Sequence, residues 1–175
     1  MDKSYKEFLQ QITTFIFDVD GVFTDGSLLV TTDGEMLRKM SVKDGYALKV
    51  ALSQGYNVCI ITGGTNEGVR TRLKGLGVKD IYMGAHHKID VLNKYLDKNG
   101  IKYEEVLYMG DDIPDIPPME RVQLATCPQN AVPEVKAVSI YISHIKGGDG
   151  CVRDVIEQVL KVRGDWMSHF SAAND

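Results

Sequence analysis

Cysteine is scarce in this chain of 175 residues, and basic stripes, internal repeats and long apolar runs are missing. The three cysteines, Cys59, Cys127 and Cys151, lie far apart with no C-x-x-C pair. An odd count without a framework argues for a reducing compartment, and Cys59, inside the apolar run 58–61, reads as a reduced core thiol. No apolar stretch approaches the roughly 20 residues of a membrane-spanning helix. The opening MDKSYKEFLQQI lacks the apolar centre of a signal peptide. The expected location is the cytoplasm, with no membrane partner. Lysine and arginine number 20 against 24 acidic residues, a net charge of −4, which offers no footprint for nucleic acid. A small anionic substrate stays open, because a local site can be positive on an acidic protein. With 43% hydrophobic and 25% charged residues, the composition is that of one globular domain with a real core.

What the chain does have is alternation. Apolar strand-like runs at 14–17, 58–61, 81–83, 106–109, 124–127 and 140–142 are separated by helix-period segments. Tyr46, Ala47, Val50 and Ala51 share a face before Gly55; Val69, Leu73 and Leu76 precede Gly77; Ile89, Leu92 and Leu96 precede Gly100; Val152 to Leu160 precede Gly164. Each glycine is a C-terminal helix stop. Strands apolar on both faces, alternating with helices, predict an α/β fold: a single doubly wound, Rossmann-like parallel sheet with helices on both faces. The domain spans 1–175, with a core of about 12–164 and a tail, 165–175, whose end SHFSAAND reads as loose. One segment breaks the rhythm. Residues 27–40 predict a β-hairpin around Asp33-Gly34, carrying Leu28, Leu29, Val30, Met36, Leu37 and Met40 where solvent is expected. An apolar ribbon in solvent invites a partner.

The stretch FIFDVDGVFTDG runs an apolar strand straight into Asp18 and Asp20. Two further strand ends carry Thr62-Gly63-Gly64 and Gly110-Asp111-Asp112, and Lys88 opens the helix after the third strand. In a doubly wound sheet, ligands bind beyond the carboxyl ends of the strands, where strand order reverses. A central first strand brings all four segments to one crevice. Clustered carboxylates are costly without a cation, and their hard oxygens suit Mg²⁺. The Thr62 hydroxyl, the backbone N–H groups of Gly63 and Gly64, and the Lys88 ammonium complete a cradle for a phosphoryl group. Asp18 can then attack phosphorus, and Asp20, two residues on, can protonate the leaving oxygen and later deprotonate water. Asp-x-Asp-Gly alone is more often a capped turn; joined by Thr62, Lys88 and Asp111-Asp112 in that order, it is not. Asp115 fits a helix cap and a loop-ordering role equally well. The adjacent His86 and His87 diverge on a helix and read as a polar helix start.

Asp18-Val19-Asp20-Gly21-Val22, Ile61-Thr62-Gly63, Lys88 and Gly110-Asp111-Asp112-Ile113-Pro114-Asp115 resemble, in order, the four motifs of the haloacid dehalogenase superfamily. Ser41-Val42-Lys43-Asp44-Gly45-Tyr46, Arg72 and Gly147-Gly148-Asp149-Gly150-Cys151-Val152-Arg153 resemble its capless sugar-acid phosphatases. The resemblance implies Asp18 as nucleophile, Asp20 as acid/base, and Thr62 and Lys88 on the phosphoryl oxygens. It implies Mg²⁺ held by the Asp18 and Asp111 side chains and the Asp20 backbone carbonyl, with Asp112 in the surrounding shell. Ser41, Val42, Lys43, Asp44, Gly45, Lys49 and Arg72 would line the substrate pocket, with Gly63 and Gly64 beside it. That family commonly has Arg at the position of Gly64, so Lys49 or Arg72 would carry more of the cationic contact. Arg153 suits a substrate carboxylate or a salt bridge that docks the tail. A neighbouring subunit would cover the site through the hairpin, giving a homotetramer.

The implied activity is Mg²⁺-dependent hydrolysis of a phosphorylated keto sugar acid, releasing free acid for lipopolysaccharide assembly. An eight-carbon acid comes first and a nine-carbon sialic or deaminoneuraminic acid 9-phosphate second. A receiver-like phospho-accepting switch stays open as another class, although a long-lived aspartyl-phosphate needs no acid/base at Asp20. A non-catalytic regulatory subunit is the third reading.

Overall fold

The computed structural model describes residues 4–167. Strand β1 (Thr14–Phe17) is buried at every position, because it lies inside a sheet covered on both faces. The hairpin β2 (Leu29–Val30) and β3 (Met36–Leu37) follows, and then β4 (Asn57–Ile61), β5 (Asp80–Tyr82), β6 (Val106–Met109), β7 (Leu124–Cys127) and β8 (Tyr141–Ile142). The main sheet has the order β5-β4-β1-β6-β7-β8, and all its pairs are parallel. Phe17 stands between Ile60 and Met109. The chain therefore runs outward from β1 to β5 on one side and crosses back to build β6 to β8 on the other. The reversal falls beside β1, where the sequence pattern placed the crevice. Strand bounds differ from expectation by about one residue, within ordinary fraying.

Period-two alternation divides the core. Phe15, Phe17, Val58, Ile60, Leu107 and Met109 face helices α1 (Lys6–Leu9), α2 (Val42–Ser53), α3 (Glu67–Gly75) and α7 (Cys151–Arg163). Ile16, Cys59, Ile61, Val106 and Tyr108 face α4 (Lys88–Asn99), α5 (Ile116–Met119) and α6 (Pro133–Val138). Gly100 and Gly164 close α4 and α7 in the left-handed conformation, as expected of helix stops. Helix α2 begins three residues before the expected Gly45, because Ser41 caps it by accepting from the Lys43 N–H.

The hairpin pairs Leu29 with Leu37 and Val30 with Met36. Its turn is closed by the Thr31 N–H donating to the Glu35 carbonyl at 2.9 Å, with Gly34 at φ +89°. Leu29 and Val30 are 68% and 63% exposed, and Leu28, Met36 and Leu37 are also exposed; Met40 alone of the ribbon is half-buried. Among the described residues, no helix is long and apolar enough to cross a membrane. Of the expected tail, 165–175, only 165–167 fall among the described residues. Asp165 accepts from the Tyr56 hydroxyl at 2.6 Å, and the Trp166 ring lies 5.4 Å from the Arg153 guanidinium, so both are docked. Residues 168–175 lie outside the described residues.

Candidate active site

The carboxyl ends of β1, β4 and β6 open into a cavity of about 420 Å³ lined by Asp18, Asp20, Thr62, Gly63, Gly64, Lys88, Asp111 and Asp112. Asp18 directly follows β1, its N–H donating to the Met109 carbonyl at 3.1 Å. Lys88 is the first residue of α4, and both it and Asp18 are buried. Its Nζ stands 3.1 Å from Asp18 Oδ1 and 2.7 Å from Asp115 Oδ1. Burial pulls the ammonium pKa down, but the two carboxylates outweigh it and leave it above its ordinary value. Lys88 is therefore a fixed charge.

The acids shift upward too, but for a carboxyl this disfavours the charged form. Burial, with Asp115 adding repulsion, pushes Asp18 up to about 6. Burial, followed by Asp18, Asp115 and Asp112, pushes Asp111 up to about 8. Asp18 Oδ1 and Asp111 Oδ1 are buried without a hydrogen-bond partner, Asp18 Oδ1 having only the ion pair to Lys88. Ligand atoms of Asp18, Asp111 and Asp115 lie within 4.8 Å of one another. Crowded hard oxygens with unspent lone pairs fit a divalent cation such as Mg²⁺.

Asp115, which proximity alone would count as a third ligand, is already spent. Its Oδ1 accepts from Lys88 Nζ at 2.7 Å and from the Tyr108 hydroxyl at 2.8 Å. Its Oδ2 accepts from the Asp111 N–H at 3.2 Å. It caps no helix by side chain; it orders the loop and holds Lys88. Asp112 is exposed at the rim, where Oδ1 accepts from the Ile113 N–H at 2.8 Å. Gly21 adopts φ +87°, and a Cβ there would fall 1.9 Å from Asp111 Oδ2. Any side chain at that position evicts Asp111.

Thr62 is buried at the end of β4, and its Oγ1 accepts from the Gly64 N–H at 3.2 Å. Its own proton is left to donate into the crevice. The Gly64 N–H, expected to face a ligand, is thus committed to Thr62. His86 is exposed and lines the cavity; His87 is exposed at the N-cap of α4.

Asp20 has a partner that sequence reasoning missed. Arg38, just past β3, donates Nε to Asp20 Oδ1 at 2.8 Å and Nη2 to Oδ2 at 3.1 Å. The only sequence signal was a cation at the foot of a hairpin that begins beside the acidic loop.

The expected substrate residues Ser41, Val42, Lys43, Asp44, Gly45, Lys49 and Arg72 are not brought into this cavity. Ser41 to Gly45 form the cap and first turn of α2. Asp44 is fully buried, and Oδ1 accepts from the Arg153 N–H at 2.8 Å, so it caps α7 from across the packing. Lys43 and Arg153 line a second cavity, of about 530 Å³. Arg72 lines a third, beside Arg38, and packs where a Cβ on Gly45 would sit, 2.8 Å from Nη2. Arg153 docks the tail, though through its cation–π contact with Trp166, and pairs with Glu157 at 3.1 Å.

Comparisons with known proteins agree with this geometry. Residues 39–126 match the family model of haloacid dehalogenase-like hydrolases. The 3-deoxy-D-manno-octulosonate 8-phosphate phosphatase KdsC of Salmonella typhi is 37% identical over 155 residues, covering 89% of this chain and 82% of that protein. The same phosphatase from Yersinia pestis superposes with a TM-score of 0.91 at 31% identity, over 94% of this chain and 89% of that one. A third, from Moraxella catarrhalis, solved with magnesium, phosphate and KDO, superposes with a TM-score of 0.90 at 31% identity, over 94% of each chain. Membership in a hydrolase family sets aside the receiver-like switch. Fold, site and relatives converge: this chain belongs to the haloacid dehalogenase-like hydrolases, in the group of the 3-deoxy-D-manno-octulosonate 8-phosphate phosphatases.

Proposed function

We propose that the chain is a Mg²⁺-dependent phosphomonoesterase that converts 3-deoxy-D-manno-octulosonate 8-phosphate into the free sugar acid and phosphate, in lipopolysaccharide biosynthesis. The observation that carries this reading is Asp18, buried with an unspent oxygen and 3.1 Å from Lys88 in a crevice beside Asp111. The eight-carbon substrate is favoured over the nine-carbon ester because the similar phosphatases carry the eight-carbon name and one was solved with KDO.

The side chains of Asp18 and Asp111 and the backbone carbonyl of Asp20 would hold Mg²⁺, which when bound offsets the carboxylate charge and polarises the phosphoryl group. Lys88 and the Thr62 hydroxyl bind the phosphoryl oxygens. Asp18 attacks phosphorus, the bond to the sugar oxygen breaks with its electron pair leaving on that oxygen, and Asp20 supplies the proton. Asp20 then takes a proton from water, which attacks phosphorus and releases Asp18. Asp115 keeps Lys88 in place throughout, and Asp112 supports the rim.

The exposed ribbon of Leu28, Leu29, Val30, Met36 and Leu37 supports a homotetramer assembled through the hairpin. Three buried free thiols support a reducing, cytoplasmic setting. Phosphate release from eight- and nine-carbon esters, compared by kcat/KM with and without Mg²⁺, tests the reading. A tenfold advantage for the nine-carbon ester, about 1.4 kcal/mol in the transition state, would overturn the substrate. Activity undiminished by chelation would overturn the metal.

A further inference from the structure

Arg38 has no part in the steps above and lines the neighbouring cavity with Arg72, yet it grips Asp20 at the edge of the site. Its side chain is 9% exposed, against 37% for Asp20. Beyond the two bonds to Asp20, Nη1 donates to the Met36 carbonyl at 2.9 Å, which braces the guanidinium on its own strand. Asn66, the N-cap of α3, donates Nδ2 to the same carbonyl at 3.1 Å. The foot of the hairpin is thereby tied to the loop that follows Thr62. Gly64 keeps the approach open: a Cβ there would lie 3.3 Å from Asp20 Oδ2 and 3.8 Å from Arg38 Nη2.

We propose that Arg38 is the residue that reads the carboxylate of the sugar acid, exchanging Asp20 for the substrate's carboxylate when the ester binds. This rests on the phosphatase reading above. A guanidinium fork matches a carboxylate at two points, and the Asp20 contacts at 2.8 and 3.1 Å show that this fork accepts one. The partner that moves is Asp20, because it is the more exposed of the two while Arg38 is braced. Position agrees with this assignment. Lys88 and Thr62 take the phosphoryl end, Asp20 faces the leaving oxygen, and the cation beyond Asp20 therefore lies on the sugar side. With both oxygens held by Arg38, Asp20 is engaged away from the leaving group. A substrate carboxylate that takes the place of Asp20 on Arg38 frees it, whereas a neutral ester offers nothing in exchange. Recognition of the acid and readiness of Asp20 are then one event.

The test uses wild type, Arg38→Ala and Arg38→Lys with Mg²⁺ present. Substrates are the eight-carbon sugar-acid ester, the matched pair gluconate 6-phosphate and glucose 6-phosphate, and p-nitrophenyl phosphate. Arg38→Ala should lower kcat/KM by about 100-fold for the acid esters, the scale of a lost charge-assisted contact, and should leave it level or raise it by a few-fold for the neutral ones, which no longer meet a held Asp20. Inhibition by free sugar acid should weaken about as much, while inhibition by inorganic phosphate holds. Arg38→Lys should recover about tenfold and carries the test if the alanine variant fails to fold by thermal melt. An equal fall on acid and neutral esters would overturn the proposal and leave Arg38 only a holder of Asp20. So would a wild type that takes acid esters no better than neutral ones. A wild type that prefers gluconate 6-phosphate to the eight-carbon ester, with the acid-selective loss intact, would instead overturn the substrate and uphold Arg38.

Discussion

Replacing Asp111 by Asn gives the sharpest account of what the crowded carboxylates cost. Burial and three neighbouring acids push Asp111 up to about 8 in the folded protein, from an ordinary value of 3.8. A raised folded pKa means that the native state keeps a proton the unfolded chain releases. Metal-free stability is therefore greatest below pH 4 as far as this group is concerned, falls as pH rises, and levels off above about 8. A tenfold change in proton affinity is worth about 1.4 kcal/mol, and with water reaching this half-buried carboxyl we take about 2–3 kcal/mol in all. Asn keeps the shape and removes the charge. In EDTA at pH 8.5, Asp111→Asn should melt higher than wild type by about 4–8 °C, and the two should converge near pH 4. Addition of Mg²⁺ should then raise the wild-type Tm and leave the variant almost unmoved, because binding to the native state alone is what stabilises. Parallel pH profiles in EDTA, or an equal Mg²⁺ response, would refute the reasoning.

Other perturbations separate chemistry from scaffolding. Asp18→Asn should abolish turnover with the fold intact by circular dichroism, and Asp20→Asn should slow both the formation and the breakdown of the intermediate in stopped-flow assays; unchanged rates would remove the acid/base role. Gly21→Ala places a methyl 1.9 Å from Asp111 Oδ2 at φ +87°, so Mg²⁺ affinity by calorimetry should fall at least about tenfold, with stability reduced by about 1–3 kcal/mol. Asp44, raised to about 6 mainly by burial, subtracts stability as pH rises from about 4 to 6. Asp44→Asn keeps the acceptor for the Arg153 N–H and should be more stable than wild type above pH 7 by about 1–3 kcal/mol in urea melts; lower stability there would contradict the burial argument.

Local signals made the fold legible. Apolar runs marked the sheet strands to within about a residue, and glycines 55, 77, 100 and 164 marked helix ends, because strand burial and left-handed caps depend on neighbours in sequence. The cluster of Asp18, Lys88 and Asp111 was legible once parallel order was inferred, since the ends of β1, β4 and β6 must meet in such a sheet. What stayed hidden depends on long-range side-chain placement. Arg38 reaches Asp20 only because the hairpin folds back on the acidic loop. Asp115 looked like a cap or a loop fastener with equal right, and burial beneath Lys88 and Tyr108 decides for the second. Asp44 carried the look of a substrate residue, yet its carboxylate turns inward to the first turn of α7. No periodicity reports where a carboxylate points.

Capture of phosphorus by Asp18 is the central claim, and chemical trapping tests it most directly. Enzyme mixed with excess eight-carbon ester and Mg²⁺, quenched within one turnover and reduced with borohydride, should yield a peptide in which Asp18 has become homoserine, the mark of an acyl phosphate. Rapid phosphate release with Asp18 unmodified, or the mark on Asp20 or Asp111 instead, would contradict the account.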